Sequence, residues 1–483
     1  VNPELLALLL VGAHVVIGLA ATVYIAARRP PAAAVAWVLV IAFIPLLGLA
    51  WYLLVGAGRL PRRRREIQRE VSELILARTE GIDLVSHGAE WPEYLHSGVR
   101  MNRTLGALPM VGGNRVALLP DYEGSIAEMA AAVDEAVSHV HVEFYILVLD
   151  ETTQVFFDAL RRARGRGVAV RVLSDHVSSL MFPRRRQTLA ALEDMGAEWH
   201  AMLPLRPLRG QWQRPDLRNH RKLVTVDGRV GFTGSLNMID ASYLKPKNVK
   251  RGLRWHELMV RVEGPAVREL DAVFVTDWYS ETGELLPLDT SPVVLGTDES
   301  LLDAQVLPSG PSFDNDNNLK LFSYLIQSAQ RRISITSPYF VPDEATLMSI
   351  VTATARGVSV EIFVSAIGDQ HLVYHAQRSY YESLLRAGVA IYLYRAPTVL
   401  HSKHFSIDND VAVVGSSNMD IRSFSLNMEV SLLVHGEEFV SRLRQIEDAY
   451  RDTSDRLTLD EWLARPLVGK VNDSLARLTA SLQ

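Results

Sequence analysis

Two short stretches of the 483-residue chain carry the same set of reactive side chains. His220-Arg221-Lys222 is followed by Asp227 and then Gly234-Ser235-Leu236-Asn237; His401-Ser402-Lys403 is followed by Asp408 and then Gly415-Ser416-Ser417-Asn418. His, Lys, Asp, Gly, Ser and Asn recur at one offset of 181 residues (401 − 220), which chance does not produce. Residues two apart in a strand share a face, so each stretch sets an imidazole beside an ammonium and turns Arg221 or Ser402 away. Paired ammonium groups with Ser and Asn donors suit the two non-bridging oxygens of a phosphodiester. Two imidazoles divide the remaining chemistry: one attacks phosphorus and the other protonates the departing alkoxide. A carboxylate also recurs, Glu257 seven residues before Gly264 and Glu429 seven before Gly436, at an offset of 172 (429 − 257). The first copy therefore holds about nine extra residues, at 245–254. Asp227 and Asp408 lie five residues beyond the lysines, an odd spacing that turns them to the opposite face as structural supports.

The flanking pattern indicates what positions these groups. From about residue 100, short β-rich runs alternate with amphipathic helices. Gly165-Arg166-Gly167-Val168-Ala169-Val170-Arg171-Val172 is matched by Ala355-Arg356-Gly357-Val358-Ser359-Val360-Glu361-Ile362, in each case a helix end running into a buried strand. A strand ending in aromatics precedes each, at His141-Val142-Glu143-Phe144-Tyr145 and at Ser334-Ile335-Thr336-Ser337-Pro338-Tyr339-Phe340. The reading is two copies of one α/β unit, residues 101–285 and 286–455, each contributing one polar cluster. Residues 456–483 form an amphipathic helix in which Trp462, Leu463, Leu467, Val471, Leu475 and Leu478 make a stripe, suited to docking on the domain or to a membrane interface.

Composition narrows the classes. The absence of cysteine removes thiol catalysis, Cys-ligated zinc and iron–sulfur chemistry. With 50 Lys and Arg against 55 Asp and Glu there is no global positive field for nucleic acid, so an anionic substrate must be met by local charge. Residues 5–27 and 32–58 carry no Asp, Glu, Lys or Arg, and each run exceeds the ~20 residues that cross ~30 Å of hydrocarbon as a helix. These two runs predict a transmembrane helical hairpin at 1–58, turning at Arg28-Arg29-Pro30-Pro31, with Pro45 absorbed within the second helix. Arg59, Arg62, Arg63, Arg64, Arg65 and Arg69, in a basic juxtamembrane linker at 59–100, outnumber the two arginines of the turn. That bias places both hairpin ends, and all that follows, in the cytoplasm.

The duplicated H-x-K-x4-D and G-S-x-N motifs resemble those of the phospholipase D superfamily, and the whole chain is most similar to the bacterial membrane-bound cardiolipin synthases. The narrower likeness lies in the hairpin, from Ala36-Trp37-Val38-Leu39-Val40 through Pro45-Leu46-Leu47-Gly48 to Tyr52-Leu53-Leu54-Val55-Gly56. It lies also in Asn219-His220-Arg221-Lys222, Ser337-Pro338-Tyr339-Phe340-Val341-Pro342-Asp343, Arg378-Ser379-Tyr380-Tyr381 and Arg422-Ser423-Phe424-Ser425-Leu426-Asn427-Met428-Glu429. Gly234-Ser235 stands where many of these synthases carry two glycines. The resemblance implies a pseudo-dimer of two mixed sheets flanked by helices, with one active site on the pseudo-twofold axis. It implies His220 and His401 as nucleophile and general acid/base, Lys222 and Lys403 on phosphoryl oxygens, and Asn237 and Asn418 completing the cradle with Ser235 and Ser416 nearby. Glu257 and Glu429 would orient the histidines, and family analogy names His220 the nucleophile. The implied reaction moves a phosphatidyl group from one phosphatidylglycerol to another, releasing glycerol, with no metal or cofactor.

Hydrolysis by water, or transfer to a different alcohol, uses the same chemistry and is the alternative. A nuclease is disfavoured by the charge and the hairpin, and a dead scaffold by two intact motifs. His371 and His375, four apart on a helix, lack the third ligand a metal site needs and read as a polar face. His256 and His404 read as structural, the Arg62–65 run as a topology signal or an anionic-lipid contact, and Arg422 as a headgroup contact or a partner of Glu429. The expected partners are phosphatidylglycerol and the lipid bilayer of a bacterial inner membrane, and a homo-oligomer is compatible with both.

Overall fold

The computed structural model describes the chain except residues 1–2, 29–30, 57–59, 80–90, 207, 209–210, 212, 288–300, 314–315 and 479–483. Arg29, Pro30 and Arg59, used above for the turn and the charge bias, lie outside the described residues.

Runs rich in Val, Ile and Leu, such as Lys222–Val226 and Val411–Gly415, become fully buried strands. From the middle of the molecule outward, the first copy orders its strands Val111–Leu119, Met259–Glu263, Val230–Gly234, Lys222–Val226, His139–Phe144, Ala169–Asp175 and Glu198–Met202. The second copy repeats that order with Leu302–Ser309, Asn427–His435, Val411–Gly415, His404–Ile407, Arg332–Thr336, Ser359–Ser365 and Ala390–Tyr394, and adds Ser454–Leu457 at its edge. In each copy the three outer strands of this matched series run parallel and the inner ones antiparallel. The two mixed sheets are not separate. Val111–Leu119 pairs with Leu302–Ser309, fusing them into one sixteen-stranded sheet. Each copy has its own apolar core, and a third lines the seam.

After Gly264 and Gly436 the chain turns into equivalent helices, Ala266–Thr282 and Glu437–Asp452. The helix Glu93–Gly106 straddles residue 100 and packs on Asn317–Ser328 of the second copy, with Tyr324 Oη donating to the Tyr94 carbonyl at 2.9 Å.

At the N-terminus, Pro3–Ala26 packs against Pro31–Phe43 and Pro45–Val55 around Ala21, Ile25, Ala34, Ile41 and Tyr52. The second apolar run is two helices, which corrects the expectation of one. Pro45 has no N–H to give and its ring crowds the preceding turn, so Ile44 leaves the helical region (φ −137°, ψ 72°) and Pro45 opens a new helix. Among the described residues no helix is long and apolar enough to cross a membrane; the side chains of residues 5–11 and 13 are outside that set. In the basic helix Arg62–Arg78, Arg64 clasps Glu281 with two hydrogen bonds of 2.8 and 2.7 Å, so part of the arginine run ties this helix to the domain.

Candidate active site

Each motif histidine sits where the two copies exchange short parallel strands. Arg218–Asn219 pairs with the start of Asn427–His435, and the His220 amide donates to the Met428 carbonyl at 2.8 Å. Thr398–Leu400 pairs with Arg254–His256, and the His401 amide donates to the His256 carbonyl, also at 2.8 Å. Each bond stops one residue short of the other copy's glutamate. The carboxylates therefore cross: His220 Nδ1 lies 3.0 Å from both oxygens of Glu429, and His401 Nδ1 lies 2.7 Å from Glu257 Oε1. A carboxylate can only accept, so both Nδ1 atoms carry the proton and both Nε2 atoms are left for chemistry.

The His-x-Lys segments lie at strand breaks rather than within strands, yet the alternation expected of a strand survives. Lys222 Nζ turns back to the His220 carbonyl at 2.5 Å and Lys403 Nζ to the His401 carbonyl at 2.7 Å, with the His401 ring nitrogens at 3.1 and 3.3 Å. Arg221 points the other way, donating to the Glu429 carbonyl at 3.0 Å and pairing with buried Asp277; Ser402 meets Tyr450 Oη at 3.1 Å.

The Gly-Ser pairs have a packing reason. A Cβ on Gly234 would lie 2.4 Å from the Leu258 carbonyl oxygen, and one on Gly415 would lie 2.5 Å from Val430 O. Only glycine lets the backbones approach so that the Ser235 and Ser416 amides reach those carbonyls, at 3.0 and 2.9 Å. Ser416 Oγ then donates to Glu429 at 2.5 Å; Ser235 Oγ bonds the Leu258 backbone and also favours the charge of Glu257. Asn237 donates to Tyr243 Oη at 2.9 Å, Tyr243 donates to Glu257 at 3.1 Å, and buried Asn418 Oδ1 has no partner among the described residues.

Burial dominates the electrostatics. It holds His220 down at about 4 and keeps His401 below its ordinary value, each against the pull of its glutamate. It lowers Lys222 to about 7 and Lys403 to about 8, and Lys403 depresses both Lys222 and His220 across the copies. Burial alone would raise Glu257 and Glu429, but the adjacent histidines and lysines outweigh it and leave both below the usual range.

Asp227 and Asp408 stand apart at the far ends of their strands. Asp227 accepts from the amides of Val137, Ser138 and His139 at 2.8 Å each, and Asp408 from those of Gln330, Arg331 and Arg332 at 2.7–3.2 Å. Arg422 reaches back to the first copy, donating to the Asp216 carbonyl at 2.8 Å rather than to Glu429. His375 bonds Asp473 at 2.7 Å, which docks Leu467–Arg477 on His371–Arg378. The single helix expected at 456–483 is two, Leu459–Leu463 and Leu467–Arg477, because Pro466 cannot continue the first, and Trp462 is buried in the core rather than on the exposed stripe. His404 is buried against Glu447, and His256 stacks on Tyr394. The described residues offer one three-ligand cluster, His139, His141 and Asp271, in which His141 is bonded to Asp271 and stacked flat on Phe274.

Residues not singled out in the sequence complete the site. The Tyr145 ring lies 5.0 Å from His220, and Tyr243 and Tyr339 lie 6.2 and 6.0 Å from His401. Ser423 donates to Glu429 at 2.9 Å. Tyr145, Tyr339 and Ser423 belong to quoted motifs, but Tyr243 borders the unmatched insertion, where no repeat can point to it.

Residues 129–278 and 323–449 both match the family described as "Cardiolipin synthase, PLD-like domain". The chain is 32% identical to cardiolipin synthase A of Proteus mirabilis over 93% of its length and 92% of that protein's. It is equally identical to the cardiolipin synthase of Geobacillus kaustophilus, over 94% of this chain and 90% of that one. The crystal structure of Haemophilus influenzae phosphatidylserine synthase superposes with a TM-score of 0.57 at 15% identity, covering 80% of this chain and all of that one, which bears on the fold alone. With two matched domains and relatives alike from end to end, the chain belongs to the phospholipase-D-like cardiolipin synthase family.

Proposed function

We propose that the protein is a cardiolipin synthase that transfers a phosphatidyl group from one phosphatidylglycerol to a hydroxyl of a second, releasing glycerol. The observation that carries the reading is the pair of crossed histidine–glutamate contacts, which makes one site from two copies in a chain similar to cardiolipin synthases over more than nine-tenths of its length. Neutral His220, its Nδ1–H on Glu429, attacks phosphorus through Nε2 and the bond to the glycerol oxygen breaks. Burial keeps His401 neutral in the free site, so it takes up its second proton when the negative phosphate binds, is held by Glu257, and gives the Nε2 proton to that oxygen. The second phosphatidylglycerol then loses its hydroxyl proton to His401 Nε2 and attacks the phosphohistidine, forming cardiolipin and restoring His220. Lys222 and Lys403 neutralise the non-bridging oxygens, with Asn237, Asn418, Ser235 and Ser416 around them and Arg422 toward the headgroup. Asp227 and Asp408 hold the turns that fix the motif strands, and no metal is used.

The segment 1–58, with its helices Pro3–Ala26, Pro31–Phe43 and Pro45–Val55, is read as membrane-embedded. Their outer surface is apolar, Phe43 being 83% exposed and Leu47 73%, which water does not favour but lipid does. The arginine bias places the domain, two repeats at 101–285 and 286–455 behind the 59–100 linker and ahead of the C-terminal 456–483 segment, on the cytoplasmic side of a bacterial inner membrane. The test is the product set from purified protein in vesicles of phosphatidylglycerol alone. Cardiolipin and glycerol in equal amounts are expected. Phosphatidic acid as the main product would replace transfer by hydrolysis, and a requirement for a cytidine-activated lipid would overturn the mechanism.

A further inference from the structure

The helix Leu467–Arg477 is docked inside out. Its inward face carries Asp473, which is 3% exposed and bonded to His375, Arg378 and Arg465. The opposite face carries Leu467, Val468, Val471 and Leu475, exposed by 54–77%, with Leu478 just beyond the helix 78% exposed. A helix held by its charged side leaves an apolar stripe that water does not stabilise. The helix it packs on, His371–Arg378, exposes Leu372 by 57% and begins beside Asp369 and Gln370, both bonded to Tyr339 Oη. Tyr339 in turn faces His401. The helix that bears the stripe thus packs on the element that leads to Tyr339 beside His401.

The other side of the rim repeats the combination with charge added. Leu180 and Met181 are 56% and 72% exposed, and Phe182 beside them packs on Tyr243, which faces His401. Exposed Arg184 and Arg186 follow directly. The insertion at 245–254 adds exposed Lys245, Lys247, Lys250 and Arg251 around Val249, itself 59% exposed, with Lys245 Nζ 5.7 Å from the Phe182 ring. The insertion contains no acidic residue, in a chain whose net charge is −5. Glu123 engages Arg254, and Asp369 engages Tyr339.

We propose that this rim is a docking surface for an anionic phospholipid bilayer, seating the active-site mouth on the lipid. Apolar side chains enter the acyl boundary while the lysines and arginines meet lipid phosphates. The two elements flanking the mouth, one from each copy, fix its orientation. The proposal rests on the reading of the substrate as a membrane phospholipid.

The chain has no cysteine, so single-cysteine variants of the full-length protein can carry an environment-sensitive dye. In Met181→Cys, Leu475→Cys and the distant control Val137→Cys, the dye is compared in phosphatidylglycerol and phosphatidylcholine vesicles with lipid-borne quenchers. Blue-shifted, quenched emission is expected at 181 and 475 in phosphatidylglycerol vesicles, with position 137 remaining in water. Dyes at 181 and 475 as wet as at 137, or equal insertion in phosphatidylcholine, would overturn the proposal. The quadruple variant Arg184→Glu, Arg186→Glu, Lys247→Glu, Lys250→Glu is expected to raise the apparent KM for vesicle phosphatidylglycerol about tenfold, leaving turnover of monomeric short-chain phosphatidylglycerol unchanged. Equal losses on both substrates would also refute docking. Inactivity of the unmodified protein on both would sink the lipid-transfer reading while leaving the dye result standing.

Discussion

The two copies share a strand order, a motif and a crossed carboxylate, yet the carboxylates live in different company. Glu429 receives Ser416, Ser423 and, at 3.5 Å, Asn427 as well as His220, so its charge is spread over four donors. Glu257 receives His401 at the shorter distance of 2.7 Å and Tyr243 at 3.1 Å, with the Ser235 hydroxyl nearby also favouring its charge. The less solvated carboxylate holds a proton on its histidine more firmly. Burial lowers both rings, His220 to about 4, so the contrast between the carboxylates bears on which ring takes up a second proton once an anionic phosphate is bound, and it favours His401 for that role. The repeated motif makes the two histidines alike in sequence, and the donors around the glutamates are the difference between them in the fold.

Removing either histidine should be the severest insult. His220→Ala and His401→Ala are each expected to lower turnover by about 10³-fold or more, with the double variant little worse, because the pair acts as a unit. Near-normal cardiolipin formation by either single variant would mean that the copies work separately. Mapping an alkali-stable, acid-labile phosphate from labelled lipid should find it on the peptide of His220; label on the peptide of His401 would invert the roles.

Lys222→Ala and Lys403→Ala are expected to lose about 10²–10³-fold in kcat/KM through unneutralised phosphoryl charge. The lysines also set a pH limb. At about 7 and 8 in the free site they lose their protons as pH rises, so kcat/KM should fall across that interval. Lys222→Arg stays charged and should carry the limb to higher pH, whatever its absolute rate; a profile unmoved by that change would acquit the lysine.

Glutamine in place of each glutamate sharpens the comparison. Glu257→Gln should cost roughly tenfold more than Glu429→Gln, since it removes the charge facing the protonated ring. Equal losses would show that the unequal surroundings do not matter. The smallest effect on chemistry belongs to Asp227→Ala and Asp408→Ala, each expected to cost about 1–2 kcal/mol in denaturant unfolding with activity per folded molecule nearly intact.

The repeat offset made the histidines, lysines, asparagines and aspartates legible, and the spacing to Gly264 and Gly436 did the same for the glutamates. Which glutamate serves which histidine was not legible, because spacing along one copy says nothing about strands exchanged between two. The fusion of the sheets was hidden for the same reason: its edge pair joins residues nearly 200 apart. Tyr243 has no counterpart to be matched with. The break at Pro45 followed from proline chemistry that the length of the apolar run obscured.

The crossed glutamates also bear on descent. A polypeptide of half this length, carrying one motif, would lack the carboxylate for its own histidine in the folded unit. It could have worked only as a twofold pair, each subunit lending a glutamate to its neighbour. Joining two such genes end to end would have preserved the loan within one chain. Under the proposed mechanism neither copy could then decay alone, since losing Glu257 would leave His401 without its carboxylate and losing Glu429 would leave His220 without its own. Mutual dependence of this kind keeps both halves of a duplication under selection long after their surroundings have diverged.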